Sequence, residues 1–460
     1  MTILFVIATV SVLLGAVGLW RGRWMPLETL IVTFVVGLHA LAALAVSATG
    51  GIEILSGSAT AFVITQQETE EAGLLLLRGA AFMVVFSLIL APFVRSALGA
   101  VGGDNERLSV REAVLKVLPQ RAAHRISLGA FAFAALMWLV NWRELWVRDS
   151  YQFLDPGSIV AALSFLVLPV GIAAIMCIYV ATGYTRLIAI LAFVGLCAAS
   201  IATGSRSFAV LATSIVAIGA LFARRLASRA LLIFASAIVA LWSLSLMIQL
   251  RGVPGQQGLS GYLDYILSGQ YSLTPAQVEA VVNNLLLSIP VTLASARLPT
   301  PPGMLEISFN PLPGELVGWY EISPYLSLGY QTPSNAIGQL LAGDLVYQLL
   351  GWATLSVILI IPALLRRPLG PTLGVIAGSA SALMVLGATL QFLQYSLRSG
   401  MRFVWAAVAI SAIAWIVQIY INSAANQRVR SKSARRPADP AAAHRDSRGA
   451  VAPSAKLERE

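Results

Sequence analysis

The stretch LVYQLLGWATLSVILIIPALL, residues 345–365, carries no charged side chain, and the first charges beyond it are Asp344 on one side and Arg366 on the other. As an α-helix rising 1.5 Å per residue it reaches about 30 Å, the thickness of a bilayer's hydrocarbon core. In water such a helix needs apolar partners on every face. In lipid it needs none, because its backbone polar groups bond within the helix.

Ten more stretches of this kind lie at 3–20, 30–48, 74–94, 127–142, 158–180, 187–203, 207–222, 230–250, 372–393 and 403–420. The chain of 460 residues is 58% hydrophobic and 11% charged, with mean hydropathy +0.80. An ordinary soluble domain is about one quarter charged. These values exclude a disordered chain, a disulfide-stapled secreted fold and a nucleic-acid-binding domain, and the net charge of +10 sits between the apolar stretches. The expected fold is all-α, a polytopic transmembrane helical bundle of about 11 spans with one large extracytoplasmic loop.

Lys and Arg favour the cytoplasmic side of a membrane. With the N-terminus outside and the C-terminus in the cytoplasm, 23 of the 31 Lys and Arg residues lie inside with 8 of the 21 acids, leaving 8 bases and 13 acids outside. The first stretch lacks a basic start and a small-residue cleavage site, so it reads as an uncleaved anchor. Cys177 and Cys197 both fall within spans, and neither a disulfide nor a thiol metal cage is expected. Residues 1–426 form the expected membrane domain, and 427–460, rich in Ala, Arg, Pro and Ser, a disordered basic tail facing lipid.

Residues 251–343 form the one long hydrophilic insertion, with ten of the 21 prolines and six of the twelve tyrosines: Tyr262, Tyr265, Tyr271, Tyr320, Tyr325 and Tyr330. Within it, 277–296 has an apolar face interrupted at Pro290 and is expected to lie at the membrane surface. Long connections of this kind commonly form lids or binding surfaces. The tyrosines fit a sugar platform, and equally the aromatic belt found at headgroup depth.

The eight bases on the outer side are exceptions to the rule, and several sit at helix ends. Arg206 lies in the turn Thr203-Gly204-Ser205-Arg206-Ser207, Arg251 follows a span, and Arg398 and Arg402 are spaced i and i+4 across the last outer turn. Arg78, inside the third span, either joins them or reaches outward to headgroups. A guanidinium binds phosphate through two parallel hydrogen bonds without losing its charge. Asp344 is read as a counter-ion for one of these arginines or as a general base, a role for which Glu315 and Glu321 compete. His39 is expected to be a hydrogen-bonded residue of the bundle, while His124 and His444 fall on the cytoplasmic side. There is no phosphate-binding Gly-rich loop, His-Glu-x-x-His or Cys-x-x-Cys, so neither a nucleotide nor a metal cofactor is expected.

The many-span layout, the 203–207 turn opening a span, the long late loop with its exit Gln331-Thr332-Pro333-Ser334-Asn335-Ala336-Ile337-Gly338, Gly351, and the closing outer turn with arginines resemble the bacterial Wzy-type O-antigen and exopolysaccharide repeat-unit polymerases. The resemblance implies a multi-pass glycosyltransferase of the bacterial cytoplasmic membrane. Its substrates would be undecaprenyl-diphosphate-linked glycans, and it would require neither nucleotide sugar nor metal. It implies membrane lipids, a chain-length regulator and a flippase as partners, with no nucleic acid. Arg251, Arg398 and Asp344 are the expected catalytic residues; Arg206, Arg402, Tyr330 and Asn335 are expected to bind substrate. Two other readings remain. A lipid-linked glycan ligase would need an outer-loop histidine, and a secondary transporter or flippase would need inverted repeats, broken helices and ionisable groups at the midplane.

Overall fold

The computed structural model describes residues 2–56, 60–99, 110–147, 159–205, 207–223, 225–251, 258–312, 314–328 and 334–434. Helices α1 (Thr2–Arg21) and α2 (Leu27–Ser47) lead into an antiparallel hairpin, β1 (Gly51–Ser56) with β2 (Thr60–Thr65), which marks one end of the bundle, the hairpin end. From there α3 (Gln66–Gly99) runs to the far end, where α4 (Val110–Val117) precedes α5 (Gln120–Val140). The short α6 (Trp142–Trp146) is followed by α7 (Ile159–Val180), α8 (Gly183–Ala202), α9 (Ser207–Phe222) and α10 (Leu226–Arg251). The long insertion holds α11 (Leu259–Leu267), α12 (Pro275–Leu286), α13 (Ser288–Ala296), α14 (Met304–Phe309), α15 (Trp319–Ile322) and α16 (Ala336–Leu341). The chain closes with α17 (Leu345–Arg366), α18 (Pro371–Gln394) and α19 (Leu397–Ala434).

Among the described residues ten helices are long and apolar enough to cross a membrane, and two shorter apolar helices accompany them. The protein is a multi-pass helical membrane protein. Two groups of helices share the interior. A framing bundle of α1–α3, α13 and α16–α19 surrounds one continuous core that includes Leu76, Met83, Trp352, Leu359, Phe392 and Val404. Its largest buried side chain, Trp352, lies against Gly79, where a Cβ would come within 2.8 Å of the indole, so the glycine is what admits the ring. A middle bundle of α5 and α7–α10 packs through smaller clusters around Met137, Ile175, Leu196 and Leu211. Short α4 touches α18 and α9, and α12 touches α10 and α2, joining the two groups.

Three elements depart from the sequence reading. The β1–β2 hairpin was not expected in an all-α chain; Gly50 and Gly51, with φ of 101° and 122°, turn the backbone into it. Residues 277–296 break at Leu287 and not at Pro290, which is the third residue of α13. Proline is tolerated in a first helical turn because no intrahelical bond needs its missing N–H. The last helix continues to Ala434, so 427–434 are helical and not disordered; residues 435–460 lie outside the described part.

The α12–α13 pair is long and apolar enough to cross a membrane, yet both ends are tied to the hairpin end. Gln249 Nε2, in the last turn of α10, donates to Ser272 O at 3.0 Å. At the other end, Arg297 pairs with Glu71 at 3.0 Å and Glu68 at 3.7 Å in the first turns of α3. Only α12 is partly exposed, as a surface helix would be; α13 has seven of its nine residues buried and packs against α3, α16 and α18.

Candidate functional site

The hairpin end of the framing bundle is organised by Asn335. Its side-chain oxygen accepts from Gly338 N at 2.8 Å and so caps α16. Its Nδ2 donates to Thr292 Oγ1 at 2.7 Å, Leu393 O at 2.9 Å and Ser288 O at 3.3 Å, and its backbone N donates to Ser295 Oγ at 2.9 Å. One fully buried amide thus joins α13, α16 and the end of α18. Gln339 adds a second junction, donating to Ser334 Oγ at 2.6 Å and accepting from Leu397 N at 2.8 Å. The approach is close enough that a Cβ on Gly338 would lie 2.4 Å from Ser295 Cβ. Every residue of α16 is buried, and Gly343, at φ 69°, turns the chain from it into α17.

Arg398 and Arg402 lie at the start of α19, so the 398–402 turn is helical and the two share a face. Arg398 is 3% exposed, and its guanidinium sits 5.6 Å above the Trp319 ring. It donates through Nη1 to Ile307 O at 2.6 Å and Asn310 O at 3.4 Å, and through Nη2 to Leu312 O. These carbonyls lie at and just beyond the C-terminal end of α14, the negative pole of a helix, where an arginine is favoured. About two turns along the helix, Trp405 Nε1 donates to Phe309 O at 2.8 Å. Arg398 and Trp405 together pin the 304–312 segment over α19. No carboxylate among the described ion pairs neutralises Arg398, its Nε is buried without a protein partner, and Arg402 beside it is exposed. The corner carries two cations, neither in an ion pair with a carboxylate among the described residues.

The other expected site residues separate. Asp344 does not neutralise an arginine: it is exposed, its Oδ1 accepts from Tyr347 N at 2.8 Å, and it caps α17. Asn335, expected to touch substrate, has its side-chain oxygen and both amide hydrogens engaged inside the protein. Arg251 closes α10 in the middle bundle; its side chain, like Arg206 and Tyr330, lies outside the described part. The loop tyrosines divide. Tyr262 is fully buried in a cluster with Phe208, Leu246 and Leu250, and Tyr265 and Tyr271 pack on it, whereas Tyr320 and Tyr325 are each 64% exposed. Glu315 and Glu321 are exposed on either side of Trp319. Arg78 is exposed, with its guanidinium 5.5 Å from the Phe82 ring centre. His39 bonds Val35 O at 2.9 Å within its own helix, and both cysteines are free.

Sequence reasoning missed a buried ion pair at the far end. Glu28, fully buried in the first turn of α2, accepts from Arg366 of α17 and, at 2.9 Å, from Ser381 Oγ of α18. The signal available was a carboxylate two residues before the apolar stretch 30–48, with an arginine just beyond the stretch 345–365; nothing in the sequence pairs the two. Among the described residues no group of three or more His, Cys, Asp or Glu residues stands close enough to hold a metal ion. Comparison with family models, curated proteins and solved structures returned no match for this chain, so the reading of its function rests on its own residues.

Proposed function

We propose that this protein is a multi-pass glycosyltransferase of the bacterial cytoplasmic membrane that joins undecaprenyl-diphosphate-linked oligosaccharide repeat units into a longer glycan. In this reading it has eleven spans, α1, α2, α3, α5, α7–α10 and α17–α19. The N-terminus and the hairpin end face outward, with 8 bases and 13 acids, and the far end takes the other 23 bases. The observation that carries the proposal is the Arg398–Arg402 corner, where Arg398 lies 5.6 Å from the Trp319 ring centre, Arg402 is exposed one turn along, and no described ion pair ties either to a carboxylate.

An acceptor hydroxyl would attack the anomeric carbon as the bond from that carbon to the diphosphate oxygen breaks. The proton leaves the hydroxyl, and the electron pair goes to the diphosphate. A phosphate charge about 4 Å from one guanidinium gains roughly 4 kcal/mol at an effective dielectric near 20, and that gain grows as charge develops on the leaving group. Arg398 is held by α14, so exposed Arg402 is the group free to meet the diphosphate, with Arg398 setting the potential behind it. Arg251, which ends α10, and Arg206, which precedes α9 in sequence, are further candidates to meet the same anion. For the base, Glu315 and Glu321 beside Trp319 suit the role better than Asp344, which is occupied as a helix cap.

One observation favours a second reading, transport of the same lipid-linked glycan: the broken pair α12–α13 and the short buried α16 are interrupted helices of the kind that form transporter sites. Replacing Arg402 in cells that depend on this protein separates the two. Arg402→Ala should abolish long glycan chains while short, single-unit product still reaches the outer face and the protein stays in the membrane. Wild-type chain lengths in that variant would overturn the site, and loss of the single-unit product as well would favour transport.

A further inference from the structure

We propose that the cleft between α1 and α3 at the hairpin end binds a lipid with a primary-amine headgroup, its ammonium on Glu70 and one acyl chain between the helices. The cleft holds about 250 Å³ and is lined by Phe5, Ala8, Leu44, Leu74 and Leu77, with Glu70 at its edge. It is smaller than the roughly 300–1,000 Å³ pockets that enclose ring-bearing ligands, so it suits a single chain. Its floor is fixed: Phe5 is 7% exposed and packs so closely on Gly73 that a Cβ there would lie 2.9 Å from the ring.

The headgroup follows from the charges. In Glu68-Thr69-Glu70-Glu71, positions 68 and 71 lie on one helical face, and both are drawn to Arg297. Glu70, some 200° round the helix from Glu68 at 3.6 residues per turn, faces the cleft instead, half-buried, with no hydrogen bond or ion pair among the described residues. Among the described side chains, three carboxylates and one guanidinium leave this corner negative. A diphosphate or an anionic lipid is repelled there, and an ammonium is attracted. The cleft is thus distinct from the Arg398–Arg402 corner, and the inference stands whether or not that corner is catalytic.

The test is native mass spectrometry of the purified full chain in detergent, offered an equimolar mixture of phosphatidylethanolamine and phosphatidylglycerol with identical acyl chains. The wild type should retain the ethanolamine lipid over the glycerol lipid by about threefold, the size expected of a partly exposed ion pair. Glu70→Gln, an isosteric change at a half-exposed position, should bring that ratio close to one, and Ala8→Trp, which fills the cleft, should lower the total bound. Equal retention of the two lipids by the wild type, or an unchanged ratio in Glu70→Gln, would overturn the proposal.

Discussion

The framing and middle bundles answer the same question differently: what holds helices together where lipid is as apolar as the side chains themselves. In the middle bundle the contacts are small residues, with Ala130, Ala134, Ala174, Ala189, Ala192, Ala199 and Ala202 at 0–4% exposure. Its buried polar side chains are Ser and Asn, and Ser127, Asn141 and Ser243 bond the carbonyl one turn back in their own helix. The framing bundle buries Glu28, Asn335, Gln339, Gln348 and Arg398 and uses all five to join separate elements, Gln348 Nε2 of α17 donating to Leu341 O of α16 at 2.9 Å. The middle bundle's cross-helix bonds, such as Trp138 Nε1 to Gly195 O at 3.0 Å and Tyr179 OH to Ile215 O at 2.7 Å, come from partly buried side chains, whereas the framing bundle's come from buried Glu, Asn, Gln and Arg. A polar junction has few alternative partners, so it fixes where α16 and the 304–312 segment sit, and with them the cationic corner.

This contrast predicts a ranked set of effects on thermal stability of the purified protein. Glu28→Ala or Arg366→Ala strands a buried charge and should cost about 3–5 kcal/mol, while the double variant Glu28→Met with Arg366→Met should recover most of it. No recovery would mean that the pair is not the contact that matters. Asn335→Leu strands the Gly338 N–H and the Leu393 carbonyl, at about 1–3 kcal/mol for each buried group left unmade. In the middle bundle, Gly171→Leu should cost about 1–3 kcal/mol by overpacking, because a Cβ there already meets Leu211 Cδ2 at 2.4 Å. Ser127→Ala should change stability by less than about 1 kcal/mol, since its hydroxyl makes only a local bond to Ala123 O. A large loss in Ser127→Ala, or none in Asn335→Leu, would erase the distinction between the bundles.

The helices were legible because hydrocarbon leaves the backbone no alternative: each of the eleven apolar stretches lies largely or wholly within a helix. The i, i+4 placement of Arg398 and Arg402 was legible for the same reason, being set by local periodicity. What the sequence did not reveal is tertiary. Asn335 reads as a polar residue near a loop exit until α13 and the end of α18 are brought around it, and then nearly all of its bonding capacity is spent. Asp344 stands next to an apolar helix either as a buried charge needing a partner or as a cap; the extended backbone at 344 and the Tyr347 N–H decide for the cap. Glu28 and Arg366 are 338 positions apart, beyond anything that spacing can pair.

The central claim is that the Arg398–Arg402 corner stabilises a lipid diphosphate as a new glycosidic bond forms. Its most direct test incubates the purified full chain with undecaprenyl-diphosphate-linked repeat units, with no nucleotide sugar added, and resolves the lipid-linked products by size. The wild type should give a ladder of lengthening glycans and Arg402→Ala unextended substrate. Unextended substrate from a folded, lipid-reconstituted wild type, or an equal ladder from both proteins, would contradict it.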